Sequence, residues 1–374
     1  MNVVMISNYM NHHQISFCDE METLTNGHFS FIATEAIAQF RVKLGYRDMD
    51  HEKDYIIASY ENEDQYRKAQ EMCQNADVLI IGNADRDFKI PQAGNQIVFY
   101  YSERLFKEKG KLLKKAFRFL KYLLKHNQYK NSYLLCASAY AKSDYMLTGN
   151  FRGRTYKWGY FPPIKQYNLS ELIEKKKNDV AKILWVGRLI DWKHPELAIE
   201  TALYLRDKGH EYQMEIIGTG SLESYIKEII QKKDLVDKVK VLGSLPQESV
   251  REHMEKANIF LFTSDQNEGW GAVVNEAMNS ACAVIGCEEA GCVPYMIDNT
   301  TGFIYKSGEK YVLFEECEKM VSDQEYTFNK GIAAYHRIQN EWNGRVAAQR
   351  LVELIDAIGN NRPISLLTGP CSPA

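Results

Sequence analysis

Two glutamates frame a glycine-rich stretch that could bind a ligand rich in hydroxyls. The stretch Glu268-Gly-Trp-Gly-Ala-Val-Val-Asn-Glu276 follows an apolar run, Ile259–Phe262, and leads into a predicted helix, Ala272–Ser280. Glycines let the backbone approach a ligand closely, and a helix start offers free N–H groups and a positive dipole. The two carboxylates can accept hydrogen bonds from hydroxyls near the helix start and further along the helix. Taken alone, the pair is better explained as a solvated loop glutamate and a capping glutamate.

A second group of residues is cationic and follows another apolar run. In Ile183-Leu-Trp-Val-Gly-Arg-Leu-Ile-Asp-Trp-Lys193 the predicted strand ends at Gly187, and Arg188 and Lys193 lie in the following loop. Open α/β sheets bind ligands at the carboxyl ends of their strands. Two cations there suit a diphosphate whose charge grows as a leaving group departs. As a bare observation, an arginine and a lysine in a loop are ordinary solvated surface.

A third group is a strand followed by Gly218-Thr-Gly220 and a predicted helix. The dinucleotide-binding fingerprint requires a third glycine, and Glu223 stands in its place. The missing glycine argues against an NAD(P)-binding site. The two glycines present still predict a tight turn over which a nucleotide could lie.

The elements that must position these residues form two series of short apolar strands separated by helices. Such runs are typical of parallel sheets covered on both faces, and two series predict two doubly wound α/β domains. The first series is Asn2–Ser7, Phe29–Ala33, Tyr55–Ile57, Val78–Gly82, Gln96–Tyr101 and Tyr133–Ser138. The second is Lys182–Val186, Met214–Ile217, Lys240–Leu242, Ile259–Phe262, Ala283–Gly286 and Gly302–Ile304.

Chain length and prolines set the expected domains. A chain of 374 residues suits two domains, and Phe161-Pro162-Pro163 can continue neither a central strand nor a helix. We predict domains at 1–165 and 166–342, with a helix, Arg345–Ile358, and tail in 343–374 returning to the first. No signal peptide or membrane-spanning run is evident, which favours a cytoplasmic protein. Eight cysteines in a chain of this length do not indicate a disulfide framework. Cys282, Cys287 and Cys292 are evenly spaced but lack a usual zinc spacing, and we expect them to be buried free thiols.

The three motifs, in this order between about Lys182 and Ile304, resemble the donor domain of family 4 glycosyltransferases of the GT-B fold. This resemblance implies two Rossmann-like domains that face a central cleft. A narrower similarity to transferases of bacterial capsule and exopolysaccharide synthesis rests on Ser7–Gln14, Tyr101–Phe106 and Gly369–Ser372. The Glu-x7-Glu signature is specific in this context.

The resemblance implies roles for individual residues. Glu276 would hold the nucleotide ribose, Glu268 a hydroxyl of the transferred sugar, and Arg188 and Lys193 the diphosphate. It also implies a retaining transfer without metal or cofactor. The residues do not identify the donor base, and a UDP-sugar is our expectation for the donor. The predicted donor site comprises Gly187, Arg188, Lys193, Gly218, Gly220, Leu242, Glu268, Gly269, Trp270, Gly271, Ala272 and Glu276.

The predicted acceptor side lies in the first half of the chain. Many family members carry a glycine pair after the first strand, whereas this chain has Asn11, His12 and His13 in that loop. A histidine there could contact the donor or the acceptor, and we include both histidines with Glu268, Arg188 and Lys193 as catalytic candidates. Glu103 follows a later strand and joins the acceptor side. A helix cap with surface histidines explains the loop equally well.

Two further features have weaker meanings. The triplets Asp48–Asp50 and Asp85–Asp87 match a metal motif of another glycosyltransferase fold, but triplets this short occur by chance. The stretch Arg104–Lys125 has nine Lys or Arg and one acidic residue, Glu108, with apolar residues between them. Such a helix could rest on an anionic membrane near a lipid-linked acceptor, or could be an ordinary surface helix.

Several functions remain as alternatives to transfer onto a glycan or lipid-linked acceptor. A nucleotide-sugar epimerase on the same fold would turn over donor without an acceptor. A non-catalytic sugar-nucleotide binding module would bind donor and transfer nothing. Nucleic-acid binding is disfavoured by the net charge of −3.

Overall fold

The computed structural model describes residues 1–39, 42, 47–91, 94–107 and 131–374. These residues divide into two compact units. The first is Met1–Pro163 together with Glu341–Ala374, and the second is Ile164–Asn340. Of the predicted basic stretch Arg104–Lys125, only Arg104–Lys107 lies within the described residues.

The first unit is built on a parallel sheet with strand order β3-β2-β1-β4-β5-β6-β7. Its central strands are continuous apolar runs such as VVMIS, which are buried because helices cover both faces of a parallel sheet. The strands are β1 (Val3–Ser7), β2 (Phe29–Ala33), β3 (Ile56–Ala58), β4 (Val78–Ile81), β5 (Ile97–Ser102), β6 (Ser132–Cys136) and β7 (Thr155–Lys157).

The helices of the first unit come from both ends of the chain. Helix α1 (Ile15–Leu24) packs against α12 (Gly344–Gly359), which starts at an Asn343 cap whose side chain accepts a hydrogen bond from Val346 N. The other described helices are α2 (Glu63–Asn75) and α3 (Ala141–Leu147).

The last residues of the chain pair with the edge strand β7. Cys371 N donates to Lys157 O (2.8 Å), Lys157 N to Ser372 O (2.8 Å) and Ala374 N to Thr155 O (3.0 Å). An antiparallel bridge joins Tyr156 to Pro373. The tail therefore covers an edge that would otherwise expose unpaired backbone groups.

The second unit has a parallel sheet with strand order β10-β9-β8-β11-β12-β13, which is the doubly wound order of a dinucleotide-binding fold. Its strands are β8 (Ala181–Val186), β9 (Tyr212–Ile217), β10 (Val239–Gly243), β11 (Ile259–Phe262), β12 (Ala283–Cys287) and β13 (Gly302–Tyr305). Its helices are α4 (Leu169–Lys176), α5 (Pro195–Asp207), α6 (Glu223–Lys232), α7 (Gln247–Lys256), α8 (Ala272–Asn279), α9 (Val293–Met296), α10 (Lys310–Ser322) and α11 (Gln324–Asn340).

The two-domain α/β prediction is confirmed. Each of the twelve predicted strands is present, shifted by no more than about two residues at its ends. Strand β7 was not predicted, because three residues with Thr155 and Lys157 at the ends carry no apolar run. All eight cysteines are buried and unbridged. None of the helices in the described part of the chain is both long and apolar enough to cross a bilayer.

Candidate active site

The predicted donor residues gather at the carboxyl ends of strands β8, β9, β10 and β11. The loops after β8 and β9 lie directly against each other: Gly187 N donates to Ile217 O (3.0 Å) and Leu189 N to Thr219 O (2.9 Å). Gly218, with φ +137°, leaves no room for a side chain, because a Cβ there would overlap the carbonyl oxygen of Gly187. Its N–H donates to Gly243 O (2.8 Å), which brings the predicted residue Leu242 to the same edge.

The glycine at position 220 has a similar role. A Cβ on Gly220 would overlap the carbonyl oxygen of Leu189. Both glycines of the Gly-x-Gly turn are therefore required by loop-to-loop packing, which the sequence interpretation as a nucleotide-binding turn did not include.

The loop after β11 delivers the glycine-rich stretch to the start of α8. Gly271 is the residue before the helix and adopts φ +101°, and a Cβ there would overlap the ring of Phe262. The side chain of Trp270 is 1% exposed, and its Nε1 donates to Asn275 Oδ1 at 2.9 Å. Trp270 is thus a core side chain, which corrects its prediction as a donor-binding side chain.

Lys193 and Glu268 form an ion pair across the two loops. Each side chain is only 13% exposed, so the pair is shielded from solvent. Arg188 is exposed, and its guanidinium lies 5.3 Å from the ring centre of Trp192; the ammonium of Lys193 lies 4.8 Å from the same ring. Arg188 and Lys193 therefore share contact with Trp192, a residue that was not predicted as part of the site, and Lys193 also pairs with the predicted residue Glu268.

The two loops that carry this pair are joined by backbone hydrogen bonds. Asp265 N donates to Trp192 O (3.0 Å), and Thr263 Oγ1 donates to Lys193 O (2.7 Å). Thr263 in turn accepts a hydrogen bond from the buried Trp185 Nε1 at 2.8 Å. The position of Lys193 is therefore fixed by the core of the second unit.

His194 follows Lys193 and adopts the left-handed conformation, with φ +49°. Its Nδ1 lies 2.7 Å from Glu196 Oε1 and its Nε2 3.6 Å from Asp265 Oδ2. The hydrogen bond with Glu196 and the negative charges of Glu196 and Asp265 raise the pKa of His194 against the opposing effect of burial. The side chain thereby links the start of α5 to the loop after β11.

Glu276 lies apart from this pair, one turn inside α8. Its Oε1 accepts a hydrogen bond from Gln247 Nε2 at 3.0 Å, at the start of α7. Sequence reasoning did not identify Gln247, because only the tertiary fold places α7 beside α8. The two glutamates have different surroundings, a shielded ion pair for Glu268 and a neutral amide for Glu276.

Cys292 is buried beside the glycine-rich stretch, with its Sγ 3.8 Å from Gly271 O. Burial raises the pKa of this thiol well above its usual value, and the charge of Glu268 adds to the effect. A thiol held neutral is a weak nucleophile, so Cys292 serves packing rather than covalent chemistry. Within the described ranges, no group of three or more His, Cys, Asp or Glu side chains is arranged to hold a metal ion.

In the first unit, the predicted acceptor residues lie at the carboxyl ends of β1 and β5. The rings of His12 and His13 are 3.7 Å apart, and the ring of His13 is parallel to that of Tyr160 at 5.5 Å. Tyr160 OH donates to Glu103 Oε1 at 2.6 Å, and Lys107 Nζ donates to Glu103 Oε2 at 2.6 Å. Burial and the charge of Glu103 raise the pKa of Tyr160, so the phenol stays a neutral donor.

Asn11 shapes this loop rather than capping α1 with its side chain. Its Oδ1 accepts a hydrogen bond from His13 N (3.0 Å), and its Nδ2 donates to Gln14 Oε1 (3.0 Å). Gln14 Nε2 then donates to Tyr101 OH at 3.0 Å. Asn11 therefore contacts the start of α1 through its backbone carbonyl, which accepts hydrogen bonds from Gln14 N (3.0 Å) and Ile15 N (3.3 Å).

The triplet Asp48–Asp50 also has a role in this loop. Asp50 is 1% exposed; its Oδ1 accepts a hydrogen bond from Met10 N (2.7 Å) and its Oδ2 from Tyr60 OH (3.1 Å). Burial raises the pKa of Asp50. Asp50 therefore braces the loop that carries His12 and His13, a role for which the sequence contains no local signal.

The fold and the motifs together define the two-domain α/β GT-B class of proteins. Solved structures share this fold: HepE from Anabaena, in complex with UDP, has a TM-score of 0.69 at 14% identity, covering 96% of this chain and 100% of that one. WaaG, a glycosyltransferase involved in lipopolysaccharide biosynthesis, has a TM-score of 0.61 at 15% identity, covering 94% and 99%.

Most of the second unit is similar in sequence to known glycosyltransferases. Residues 170–337 match the family model of group 1 glycosyl transferases. The amylovoran biosynthesis glycosyltransferase AmsK of Erwinia amylovora is 30% identical over 183 residues, 47% of this chain and 45% of that protein. The capsular polysaccharide biosynthesis glycosyltransferase CapM of Staphylococcus aureus is 23% identical over 49% of this chain and 48% of its own length. The chain spans about half the length of the curated relatives it matches. The resemblance drawn from the motifs is confirmed.

Proposed function

We propose that this chain is a retaining glycosyltransferase. It would move a sugar from a nucleotide-sugar, most simply a UDP-sugar, to a glycan or lipid-linked acceptor in bacterial surface polysaccharide synthesis. The observation that carries the proposal is the arrangement of Arg188, Lys193 and Glu268 beside the start of α8. The names of the relatives AmsK and CapM support the polysaccharide setting, and the UDP complex of HepE supports the donor base.

In this proposal each group of the site meets one part of the donor. Arg188 and Lys193 bind the diphosphate and stabilise the charge that develops on it as the glycosidic bond breaks. Glu268 accepts a hydrogen bond from a hydroxyl of the transferred sugar, and Glu276 accepts hydrogen bonds from the ribose. Backbone amides of Gly269–Ala272 at the positive end of α8 add donors for the same ligand.

The proposed reaction needs no metal or other cofactor. Cationic side chains can balance the negative charge that a metal ion would otherwise balance on a diphosphate. The departing diphosphate, on the same face of the sugar as the incoming acceptor, takes the proton of the attacking hydroxyl, as the family resemblance implies. His12, His13, Asn11 and Glu103 are proposed to bind the acceptor, whose hydroxyls suit the hydrogen-bonding groups that this cluster contains.

A thermal-shift screen tests the donor site. The wild-type protein and Glu276→Ala are heated with UDP, GDP, ADP and their sugar conjugates. A ligand at a hundred times its dissociation constant adds roughly 2.7 kcal/mol of stability, which is readily visible as a higher melting temperature. We expect one nucleotide family to stabilise the wild type and to stabilise Glu276→Ala less.

Glu248→Ala is the matched control, because this exposed carboxylate lies next to Gln247 on α7 but has no place in the site. It should respond to nucleotides as the wild type does. A folded wild-type protein that responds to no nucleotide would reject the proposed function. Turnover of donor without an acceptor would favour the epimerase, and donor binding without any transfer would favour the binding module.

We also propose peripheral attachment of the protein to an anionic membrane through the basic stretch Arg104–Lys125. Its nine cations and one acidic residue support the idea on sequence grounds alone. Co-flotation with vesicles that contain anionic lipid tests it, with neutral vesicles as the control. Absence of binding to anionic vesicles at low salt would remove this proposal and leave the donor site unaffected.

A further inference from the structure

The guanidinium of Arg188 lies beside an aromatic ring. Among the residues that the structure describes, its guanidinium makes no ion pair and no hydrogen bond. Its recorded contact is with the indole ring of Trp192, 5.3 Å from the guanidinium carbon to the ring centre. A guanidinium above the face of a tryptophan is attracted by the negative face of the ring. The ring is therefore what holds this exposed side chain in one region.

Lys193 contacts the same ring. Its ammonium lies 4.8 Å from the ring centre of Trp192 while it pairs with Glu268. One indole thus contacts both cations that the proposed function assigns to the diphosphate.

The backbone of Trp192 is held in place by neighbouring loops. Trp192 is the middle residue of a short 3₁₀ helix, Asp191–Lys193, and its carbonyl oxygen accepts a hydrogen bond from Asp265 N at 3.0 Å. Asp265 N belongs to the loop that leads to Glu268, whose own N–H donates to Asp265 O at 3.0 Å. The backbone from which the ring extends is therefore fixed to the loops that form the site.

We propose that Trp192 is a positioning residue for diphosphate recognition. Its ring holds Arg188 and Lys193 beside each other before a ligand arrives, so the long arginine side chain loses less conformational freedom on binding. The inference rests on the proposed function of these two cations. It assigns to Trp192 an action through the cations and no contact with the base or the sugar.

The test measures the affinities of UDP and uridine for the wild type, Trp192→Leu and Trp192→Phe. Loss of two cation–ring contacts in Trp192→Leu should weaken UDP binding roughly five- to thirty-fold. Uridine carries no phosphate, so its affinity should change less than about two-fold. Phenylalanine keeps an aromatic face and should recover most of the UDP affinity.

A double-mutant cycle identifies the residue through which Trp192 acts. Arg188→Ala and the pair Arg188→Ala with Trp192→Leu are titrated with UDP. We expect Trp192→Leu to cost clearly less in the Arg188→Ala background than in the wild type, because one of its two cationic partners is already gone. An equal cost in both backgrounds would overturn the action through Arg188.

The other possible results of these titrations also distinguish the inference from its alternatives. Equal losses for uridine and UDP would mean that Trp192 contacts the nucleoside or supports the fold, and would overturn the inference. If Trp192→Leu fails to fold, as judged by its melting temperature, then Trp192→Phe and the cycle built on Trp192→Phe replace it, with a smaller UDP-specific loss expected. If the wild type binds UDP and Trp192→Leu binds it equally well, the inference about Trp192 is refuted while the proposed function stands. Wild-type protein that binds no nucleoside diphosphate would refute the proposed function.

Discussion

Replacing Glu268 by glutamine should have opposite effects on stability and on nucleotide affinity. Lys193 and Glu268 are each 13% exposed, so Glu268→Gln leaves a largely shielded ammonium without its counter-charge. Removing one partner of a fully buried pair costs about 3–5 kcal/mol, and of an exposed pair about 0–1 kcal/mol. For this intermediate case we expect the free energy of unfolding to fall by about 2 kcal/mol.

The same change should strengthen binding of UDP without a sugar. The carboxylate of Glu268 offsets the charge of Lys193 in the wild type, and its removal makes the full charge available to a diphosphate. Two unit charges about 4 Å apart interact by roughly 4 kcal/mol near a protein surface, and if a quarter to a half of this is recovered, affinity rises roughly five- to thirty-fold. Sugar transfer should fall roughly ten- to hundred-fold, because a charged hydrogen bond to the sugar is replaced by a neutral one.

Urea denaturation, UDP titration and a transfer assay measure the three effects. Lys193→Met is the paired control and should lower both stability and UDP affinity. Glu248→Gln, an exposed carboxylate on α7, should change none of the three. If Glu268→Gln bound UDP more weakly than the wild type, the argument that Glu268 restrains the charge of Lys193 would be refuted.

Two further predictions concern the loops that support the site. Gly218→Ala should lower the free energy of unfolding of the second unit by about 3 kcal/mol or more in urea denaturation, because the new Cβ would overlap Gly187 O. Gly243→Ala is the control: its Cβ would enter open space, so it should cost only about 1–2 kcal/mol for the positive φ. Equal costs for the two variants would contradict the packing argument. Burial raises the pKa of Asp50, so the stability it contributes is full below its unfolded pKa of about 4 and declines as pH rises through the folded pKa. The free energy of unfolding, measured from pH 4 to 7.5, should therefore fall more for the wild type than for Asp50→Asn as the pH rises. A difference between the two proteins that stays constant with pH would show that the pKa of the Asp50 carboxyl, which accepts a hydrogen bond from Met10 N, does not change on folding.

The strands were predictable because a buried parallel strand is a continuous apolar run. Ile259–Phe262, for example, is a strand with the predicted limits. The pairing of Cys371–Ala374 with β7 was not predictable, because it joins distant segments through backbone groups that every residue carries.

The site was predictable to the level of its loops. Arg188, Lys193 and Glu268 were expected at one end of the sheet because the carboxyl ends of parallel strands share an edge. Their mutual contacts were not, since the ion pair and the position of Trp192 depend on how two loops pack. Asp50 was missed for the same reason, because its partner Met10 is close only in the folded chain.

The return of the chain to the first unit affects how the protein folds while the ribosome is still making it. The second unit is one contiguous segment, whereas the first needs Glu341–Ala374 for the partner of α1 and for the cover of the β7 edge. At roughly 5–20 residues per second, synthesis from Pro163 to the final helix and tail takes on the order of ten to forty seconds. During that interval the nascent first unit exposes an uncovered helix face and an open strand edge, so it is the segment that a ribosome-associated chaperone has most reason to bind.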